Sequence, residues 1–364
     1  MILVGVALLY CGIARRWEPL LLVPIGFSII LVNLPLGGLM ETTGDLLDED
    51  SSPIGLIALI FRYGIQWEII PPLIFVGLGA MTDFGPVIAN PKTLILGAAA
   101  QFGVYATFFM ALLLPWFDFS IADAMCIGII GGADGPTAVY LTNQLAPDLL
   151  GATAVAAYTY MAMVPLIQPP VIKLITSKEE RAIRMNPQLR EVSRREKIIF
   201  PVVVSIVIIL LVPKSAPLIG CFMFGNLLQV SGVTDRLAQT VSGSFMDILT
   251  VFLGLSIGGI MVADRFLTDR TLAVFVLGVL AFALATAFGV LVAKLMNRFS
   301  KEPINPMIGA AGVSAVPMSA RVVQRMGQEA NKRSFLLMHA MGPNIAGVIG
   351  TATAAGVFLG RYGG

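Results

Sequence analysis

Long runs without charge dominate the chain. With His339 taken as neutral, no ionised side chain falls within Met1 to Ala14, Pro19 to Met40, Thr93 to Phe117, Leu149 to Val171, Ile198 to Pro213, Ser215 to Thr234, Ile248 to Ala263, Thr271 to Ala293 or Ser334 to Gly360. Most of these approach the ~20 residues with which an α-helix spans ~30 Å of hydrocarbon. Each therefore predicts a membrane helix. Shorter apolar stretches around Ile54 to Phe61, Ile69 to Met81, Met125 to Gly132 and Pro306 to Pro317 lie between them. Counting these as well predicts roughly ten to twelve crossings, some of them interrupted.

Composition strengthens that picture. Of 364 residues only 13% are charged and 57% are hydrophobic, with a mean hydropathy of +0.86, whereas about 25% charge is usual for a soluble domain. A soluble α/β enzyme is excluded, and the fold class is an all-α polytopic membrane protein. The interval from Lys173 to Lys197 carries Lys173, Lys178, Arg181, Arg184, Arg190, Arg194, Arg195 and Lys197 against Glu179, Glu180, Glu191 and Glu196. The positive-inside rule makes it cytoplasmic, together with the loop of Arg15 and Arg16. Glu41, Asp45, Asp48, Glu49 and Asp50 make the next loop acidic and external. The basic loop either sets topology alone or is also a landing surface for an acidic soluble partner. Met1 opens directly on an apolar run with no basic leader, which reads as a first anchor helix. Cys11, Cys126 and Cys221 sit in three different apolar segments, which suits packing and not a disulfide framework or thiolate metal site. One histidine, His339, cannot form a multi-histidine centre. The bilayer is an expected partner and nucleic acid is not.

The chain repeats itself. Phe75-Val-Gly-Leu78 is echoed by Phe252-Leu-Gly-Leu255, and Gly128-Ile-Ile-Gly131-Gly-Ala-Asp-Gly-Pro136 aligns without gaps to Gly309-Ala-Ala-Gly312-Val-Ser-Ala-Val-Pro317. About twenty residues on, Tyr160-Met-Ala-Met-Val-Pro165 is answered by Met338-His-Ala-Met-Gly-Pro343. Three echoes in one order predict two repeat units. The expected organisation is N-terminal helices over 1–70, a first unit over 71–171, a basic cytoplasmic loop over 172–198, connecting helices over 199–246 and a second unit over 247–364. Helices near Ile198 to Pro213 and Leu218 to Val230 could invert the second unit relative to the first, and an inverted pair is the expectation. A Gly/Pro-interrupted helix in each unit exposes backbone carbonyls and amides, which is tolerated in a membrane only where protein or water satisfies them.

Candidate chemistry gathers at those two interruptions. Asp134 would be an ordinary turn residue in a soluble protein. Between apolar stretches it costs about 2.5–3.5 kcal/mol to insert, so it is expected to face an interior cavity and serve an ion, a proton or a partner. Burial favours its neutral form and a bound cation its charged form, which suits alternate occupancy by H⁺ and a metal ion. The second break offers Asn305, Ser314 and Ser319 oxygens beside small residues. One carboxylate with amide, hydroxyl and carbonyl oxygens suits Na⁺ better than a divalent ion. Arg321 either snorkels to the interface or presents its planar fork to a carboxylate or carbamate. Tyr158 and Tyr160 cannot share a helix face, and one of them could relay a proton. Asn344 is either helix-helix glue or an ion ligand, and Asp83 is a helix cap.

At these residues the chain resembles a known family. Gly131-Gly-Ala-Asp-Gly-Pro-Thr137, the segment Ala156 to Pro170 and the segment Asn305 to Arg321 are similar to the membrane β subunit of the sodium-pumping biotin-dependent decarboxylases, which act on oxaloacetate, methylmalonyl-CoA, glutaconyl-CoA or malonate. The likeness runs from about Pro71 to near the C-terminus. It implies that a soluble carboxyltransferase and a biotin carrier deliver carboxybiotin, and that this chain decarboxylates it while exporting Na⁺, beside a small membrane γ subunit. It implies a multi-pass protein of a bacterial or archaeal cytoplasmic membrane, and a homo-oligomer. By the same resemblance Asp134 binds Na⁺ and exchanges it for a proton, and Asn305, Gly309, Ser314 and Asn344 build the ion sites. Tyr160 delivers the proton consumed in decarboxylation, and Arg321 holds the carboxybiotin carboxylate. Two other classes stay open on the residues alone: a Na⁺-coupled carboxylate transporter without chemistry, and a structural anchor for a soluble complex.

Overall fold

A computed structural model of the chain describes residues 1–41, 55–114, 116–185, 190–300 and 303–362. Among these residues the structure is helical, with no strand. The first part runs α1 (Ile2–Ile13), α2 (Pro19–Val32), α3 (Leu56–Phe61), α4 (Ile70–Met81), α5 (Gly85–Ala89), α6 (Thr93–Leu112), α7 (Ile121–Ile129), α8 (Gly135–Leu145) and α9 (Leu150–Ile175). A short α10 (Lys178–Arg181) lies in the basic loop. There follow α11 (Arg194–Leu211), α12 (Ala216–Ser231), α13 (Asp235–Ser242), α14 (Ser244–Gly259), α15 (Ala263–Phe266), α16 (Asp269–Phe299), α17 (Met318–Ala330) and α18 (Leu337–Tyr362).

Among the described residues five spans are long and apolar enough to cross a membrane: Thr93–Leu112, Pro147–Ile175, Asp235–Gly259, Asp269–Phe299 and Leu337–Tyr362. A sixth is the pair Leu56–Gln66 and Ile70–Met81, bent by 68°. The charge-free runs match four of these spans, with α6 starting at Thr93 and α9 carrying its run through Pro165, Pro169 and Pro170 without breaking, whereas Asp235–Gly259 includes Asp235, Arg236 and Asp247 and coincides with the run from Ile248 only in its second half. Interior prolines are tolerated there because neighbouring helices satisfy the freed carbonyls. Gln168 in the same helix serves the reverse purpose, its Nε2 donating from α9 to the Ala310 carbonyl at 2.9 Å.

Packing is exchanged between the two parts of the chain. α4 lies on α12 and α2 lies on α14, while α6 packs on α18 and α9 on α16, with α6 and α16 against each other at the centre. Small residues allow these approaches. Outward faces are apolar and exposed, among them Phe102 and Phe109 on α6, Ile206 and Leu210 on α11, and Val276 and Leu280 on α16.

Polar ends of the helices are capped by local bonds. Ser120, Ser177 and Ser193 each form a capping box with the acidic residue three positions on, at the starts of α7, α10 and α11. In the basic loop Lys294 pairs with Glu180 at 3.0 Å, and Arg190 with Glu196 at 2.8 Å. Burial opposes the charge on Glu180, but the Ser177 amide and Lys294 together hold its carboxyl below the usual range. Asp83 is not the cap expected of it, since Phe84 is the N-cap of α5; it accepts from the Gly85 amide at 2.9 Å in a local turn and pairs with Lys197 at 3.2 Å. The acidic residues Asp45, Asp48, Glu49 and Asp50 lie outside the described residues.

Candidate functional site

Both interruptions have the same local build. In the first, α7 tightens into a 3₁₀ turn over Ile130–Gly132, Ala133 takes a left-handed φ of 52°, and Asp134 is extended before α8 begins. In the second, a 3₁₀ helix over Pro306–Gly312 gives way to extended Val313, and α17 begins after Pro317. Gly132 and Gly312 end the tight turns, and a proline near each following helix start cannot donate back to them.

The two breaks meet directly. Backbone N–H of Ser314 donates to the Gly132 carbonyl at 2.8 Å, and the Ser314 hydroxyl lies at 2.8 Å from the same oxygen. A residue 182 positions away thereby satisfies a carbonyl that the first break leaves free. Asn344 on α18 donates from Nδ2 to the carbonyls of Ala311 and Val313, at 3.0 and 2.6 Å. Its amide oxygen has no hydrogen-bond partner among the described residues.

Asp134 lies two residues beyond Gly132 and is 4% exposed. Its Oδ1 accepts from the Thr137 amide at 3.3 Å, so the carboxylate caps α8, while Oδ2 is buried without a hydrogen-bond partner among the described residues. Tyr158 lies against the same turn: a Cβ on Gly135 would collide with its ring, and its hydroxyl is also buried and unpartnered. Here a glycine is required for close approach. Tyr160 points elsewhere, donating its hydroxyl to the Phe275 carbonyl on α16. So the fold brings Tyr158, and not Tyr160, to the Asp134 turn.

Gly309 and Gly289 are packed backbone to backbone, each occupying the space that a Cβ on the other would need. Asn305 sits at the far end of the second break. Its Oδ1 caps Met307 at 3.1 Å and its Nδ2 donates to the carbonyls of Arg181 and Ile183, both at 2.9 Å, tying the break to the basic loop. Arg321 lies in the first turn of α17, exposed and with no ion pair among the described residues. Of the residues singled out by sequence, Ser314 and Asn344 meet at the second break, Asp134 follows two residues after the Gly132 carbonyl that Ser314 binds, Gly309 packs at the second break, and Asn305, Tyr160 and Arg321 make their contacts elsewhere.

Chemically the junction offers oxygen alone: a carboxylate, an amide oxygen, hydroxyls and backbone carbonyls, with one formal charge. Such a donor set fits a hard monovalent cation. Sequence reading passed over Gln101 and Thr351, which join the junction through Ser314, and over Gln168. The available signal was the one used for Asn344, an uncharged polar residue inside an apolar run.

Comparison with known proteins matches the chain over residues 1–362 to the family described as Na⁺-transporting oxaloacetate decarboxylase beta subunit. The oxaloacetate decarboxylase beta chain of Haemophilus ducreyi is 51% identical over 99% of this chain and 93% of its own length. The methylmalonyl-CoA decarboxylase subunit beta of Propionigenium modestum is 53% identical over 100% and 94%, and that of Veillonella parvula 55% over 99% and 91%.

Proposed function

The chain belongs to the family of Na⁺-transporting oxaloacetate decarboxylase beta subunits, and on that premise we propose that it decarboxylates carboxybiotin on a partner subunit and uses the reaction to export Na⁺. It is a multi-pass membrane subunit of a multi-subunit decarboxylase, coupled to Na⁺ transport. The observation that carries the finer reading is the junction itself. Two helix breaks clasp at Gly132 and Ser314, and an unpartnered Asp134 oxygen is buried beside the clasp.

In this reading the carboxybiotin N–C bond breaks, its electrons stay on the ring nitrogen, CO₂ leaves, and the nitrogen takes one proton. Asp134 holds Na⁺ with Ser314, Asn344 and carbonyls of the second break, while Gly309 and Asn305 fix that break in place. Arg321 receives the carboxylate, consistent with its exposed fork at the head of α17. Tyr160 supplies the proton, and the hydroxyl of Tyr158 completes the surroundings of Asp134. Moving one Na⁺ outward against ~100 mV costs about 2.3 kcal/mol, so cleavage must wait until the ion is enclosed. Relatives named for two different acids are about equally similar to this chain, which supports a choice of acid made by the soluble carboxyltransferase.

The exchanged packing of α6 with α18 and of α9 with α16 supports two inverted units, the domain division 71–171 and 247–364, and a crossing at each break. Reaching ten to twelve crossings requires α1, α2, α11 and α12 to traverse as well. We place the complex, with its carrier and γ subunits and further copies of this chain, in a bacterial or archaeal cytoplasmic membrane.

The test is CO₂ release from free carboxybiotin by the purified complex, with and without Na⁺. Na⁺-dependent release supports the reading, whereas carboxylate uptake into vesicles without CO₂ release would replace it with a transporter. Arg321→Gln is expected to raise KM for carboxybiotin about ten- to hundredfold, the value of a charge-assisted pair. The tyrosines separate by a different pattern. Tyr160→Phe lowers kcat at an unchanged Na⁺ requirement and costs about 1 kcal/mol of stability through its lost bond to Phe275. Tyr158→Phe leaves the melting temperature in place and raises the Na⁺ concentration for half-maximal rate.

A further inference from the structure

Ser314 sits between two hydroxyl acceptors. Its Oγ is 2.8 Å from the Gly132 carbonyl and 2.8 Å from Thr351 Oγ1. Thr351 is itself fully buried on α18, where its hydroxyl reaches the Gly347 carbonyl at 3.0 Å. Gln101, from the opposing α6, donates its Nε2 to Thr351 Oγ1 at 3.2 Å and to the Gly347 carbonyl at 3.4 Å. A Cβ on Gly132 would meet Thr351 Oγ1 at 2.6 Å, so Thr351 lies flat against the first break. One chain of polar groups therefore runs from α6 through α18 and the second break to the carbonyl of the first.

Counting hydrogens shows what this chain can do. The Gly132 carbonyl has two lone pairs, and the Ser314 amide holds one of them. When the Ser314 hydroxyl also donates there, both are engaged and the oxygen has nothing to offer a cation. Rotating that hydrogen to Thr351 frees one lone pair of the Gly132 carbonyl and leaves the lone pairs of Ser314 Oγ turned away from Thr351. Thr351 then donates its own hydrogen to Gly347. No covalent bond changes, and each hydroxyl still donates once.

Resting on the reading of Ser314 as a ligand of the transported Na⁺, we propose that Thr351 is a positioning residue: it accepts the Ser314 hydroxyl hydrogen when Ser314 and the Gly132 carbonyl turn their lone pairs to the ion, and Gln101 holds it in register. The role belongs to ion binding and not to decarboxylation. Thr351→Val keeps the branched shape against Gly132 and removes the acceptor.

In the assembled membrane complex, Thr351→Val is expected to raise the Na⁺ concentration for half-maximal rate about tenfold, the value of one net hydrogen bond. The kcat at saturating Na⁺ stays within about twofold of wild type, and Thr351→Ser restores the wild-type Na⁺ requirement. Direct binding of ²²Na⁺ to the purified complex gives the same shift without reference to turnover. Gln101→Met moves the requirement in the same direction by about threefold, through loss of the weaker bond to Thr351. An unchanged Na⁺ requirement in Thr351→Val overturns the proposal, as does an equal loss of kcat and melting temperature in both Thr351 variants, which would mark mere packing. Where Thr351→Val fails to assemble, Gln101→Met decides by the same criterion. Ser314→Ala is measured beside them. If it leaves Na⁺ dependence untouched, the reading of Ser314 as a ligand has failed, whereas a shift there without one in Thr351→Val defeats this inference alone.

Discussion

Asp134→Asn is expected to abolish Na⁺-stimulated decarboxylation while leaving the protein folded. Asparagine keeps the side-chain oxygen that accepts from the Thr137 amide at the start of α8, and it is as good an N-cap as aspartate. What disappears is the negative charge on the buried junction. Two unit charges about 4 Å apart at an effective dielectric near 20 attract by about 4 kcal/mol. Losing that weakens a cation about a thousandfold, which places half-saturation beyond any usable Na⁺ concentration. The measurement is CO₂ release from free carboxybiotin across a Na⁺ titration, with melting temperature followed in parallel. Turnover within tenfold of wild type, still rising with Na⁺, would remove Asp134 from the ion path.

Gly309→Val should fail at an earlier step, with little folded protein recovered. A Cβ on Gly309 would run into the backbone of Gly289, with the Gly289 carbonyl carbon at 2.5 Å and Ala293 Cβ at 3.1 Å. Both neighbours belong to the 31-residue α16, held on its other sides by α6 and α9. Backbone cannot swing aside as a flexible side chain can, so the strain exceeds the ~1–3 kcal/mol typical of overpacking. Gly289→Val, approaching from the other side, is expected to behave alike. Gly220→Ala is the control, since a Cβ there meets no atom nearer than 4.0 Å, and it should match the wild-type yield on size exclusion. Recovery of Gly309→Val with an unchanged melting temperature would show that the two backbones do not touch in the membrane.

Much of this fold is written in one dimension. Absence of charge marks the helices because charge is what hydrocarbon rejects, and it marks them well where a run is long, as from Thr93 or from Ser334. The two breaks were legible for a related reason: Gly128 to Pro136 and Gly309 to Pro317 repeat a spacing that no continuous helix needs. What the one-dimensional pattern lacks is facing. Spacing alone places Tyr158 and Tyr160 on different sides of α9, but which side carries Asp134 depends on α8 folding back along it. Gln101 and Thr351 are 250 positions apart, and each looks like an incidental polar residue until α6 and α18 are laid together. Asn305 was legible as a polar residue at the second break, yet its partners Arg181 and Ile183 belong to a loop read only for its charge. The caps Ser177 and Ser193 carry their signal locally, each with a glutamate three positions on, so they are legible in the sequence without any tertiary contact.

The clasp between Gly132 and Ser314 also bears on how such a protein is made. Its two halves are 182 residues apart in the chain, and at about 5–20 residues per second the ribosome needs roughly 10–40 s to cover that distance. For that interval the first break sits in or beside the insertion machinery with a carbonyl that its own unit cannot satisfy. Water, lipid headgroups or an assisting insertase must serve as its temporary partner, and release has to be timed to the arrival of the second break.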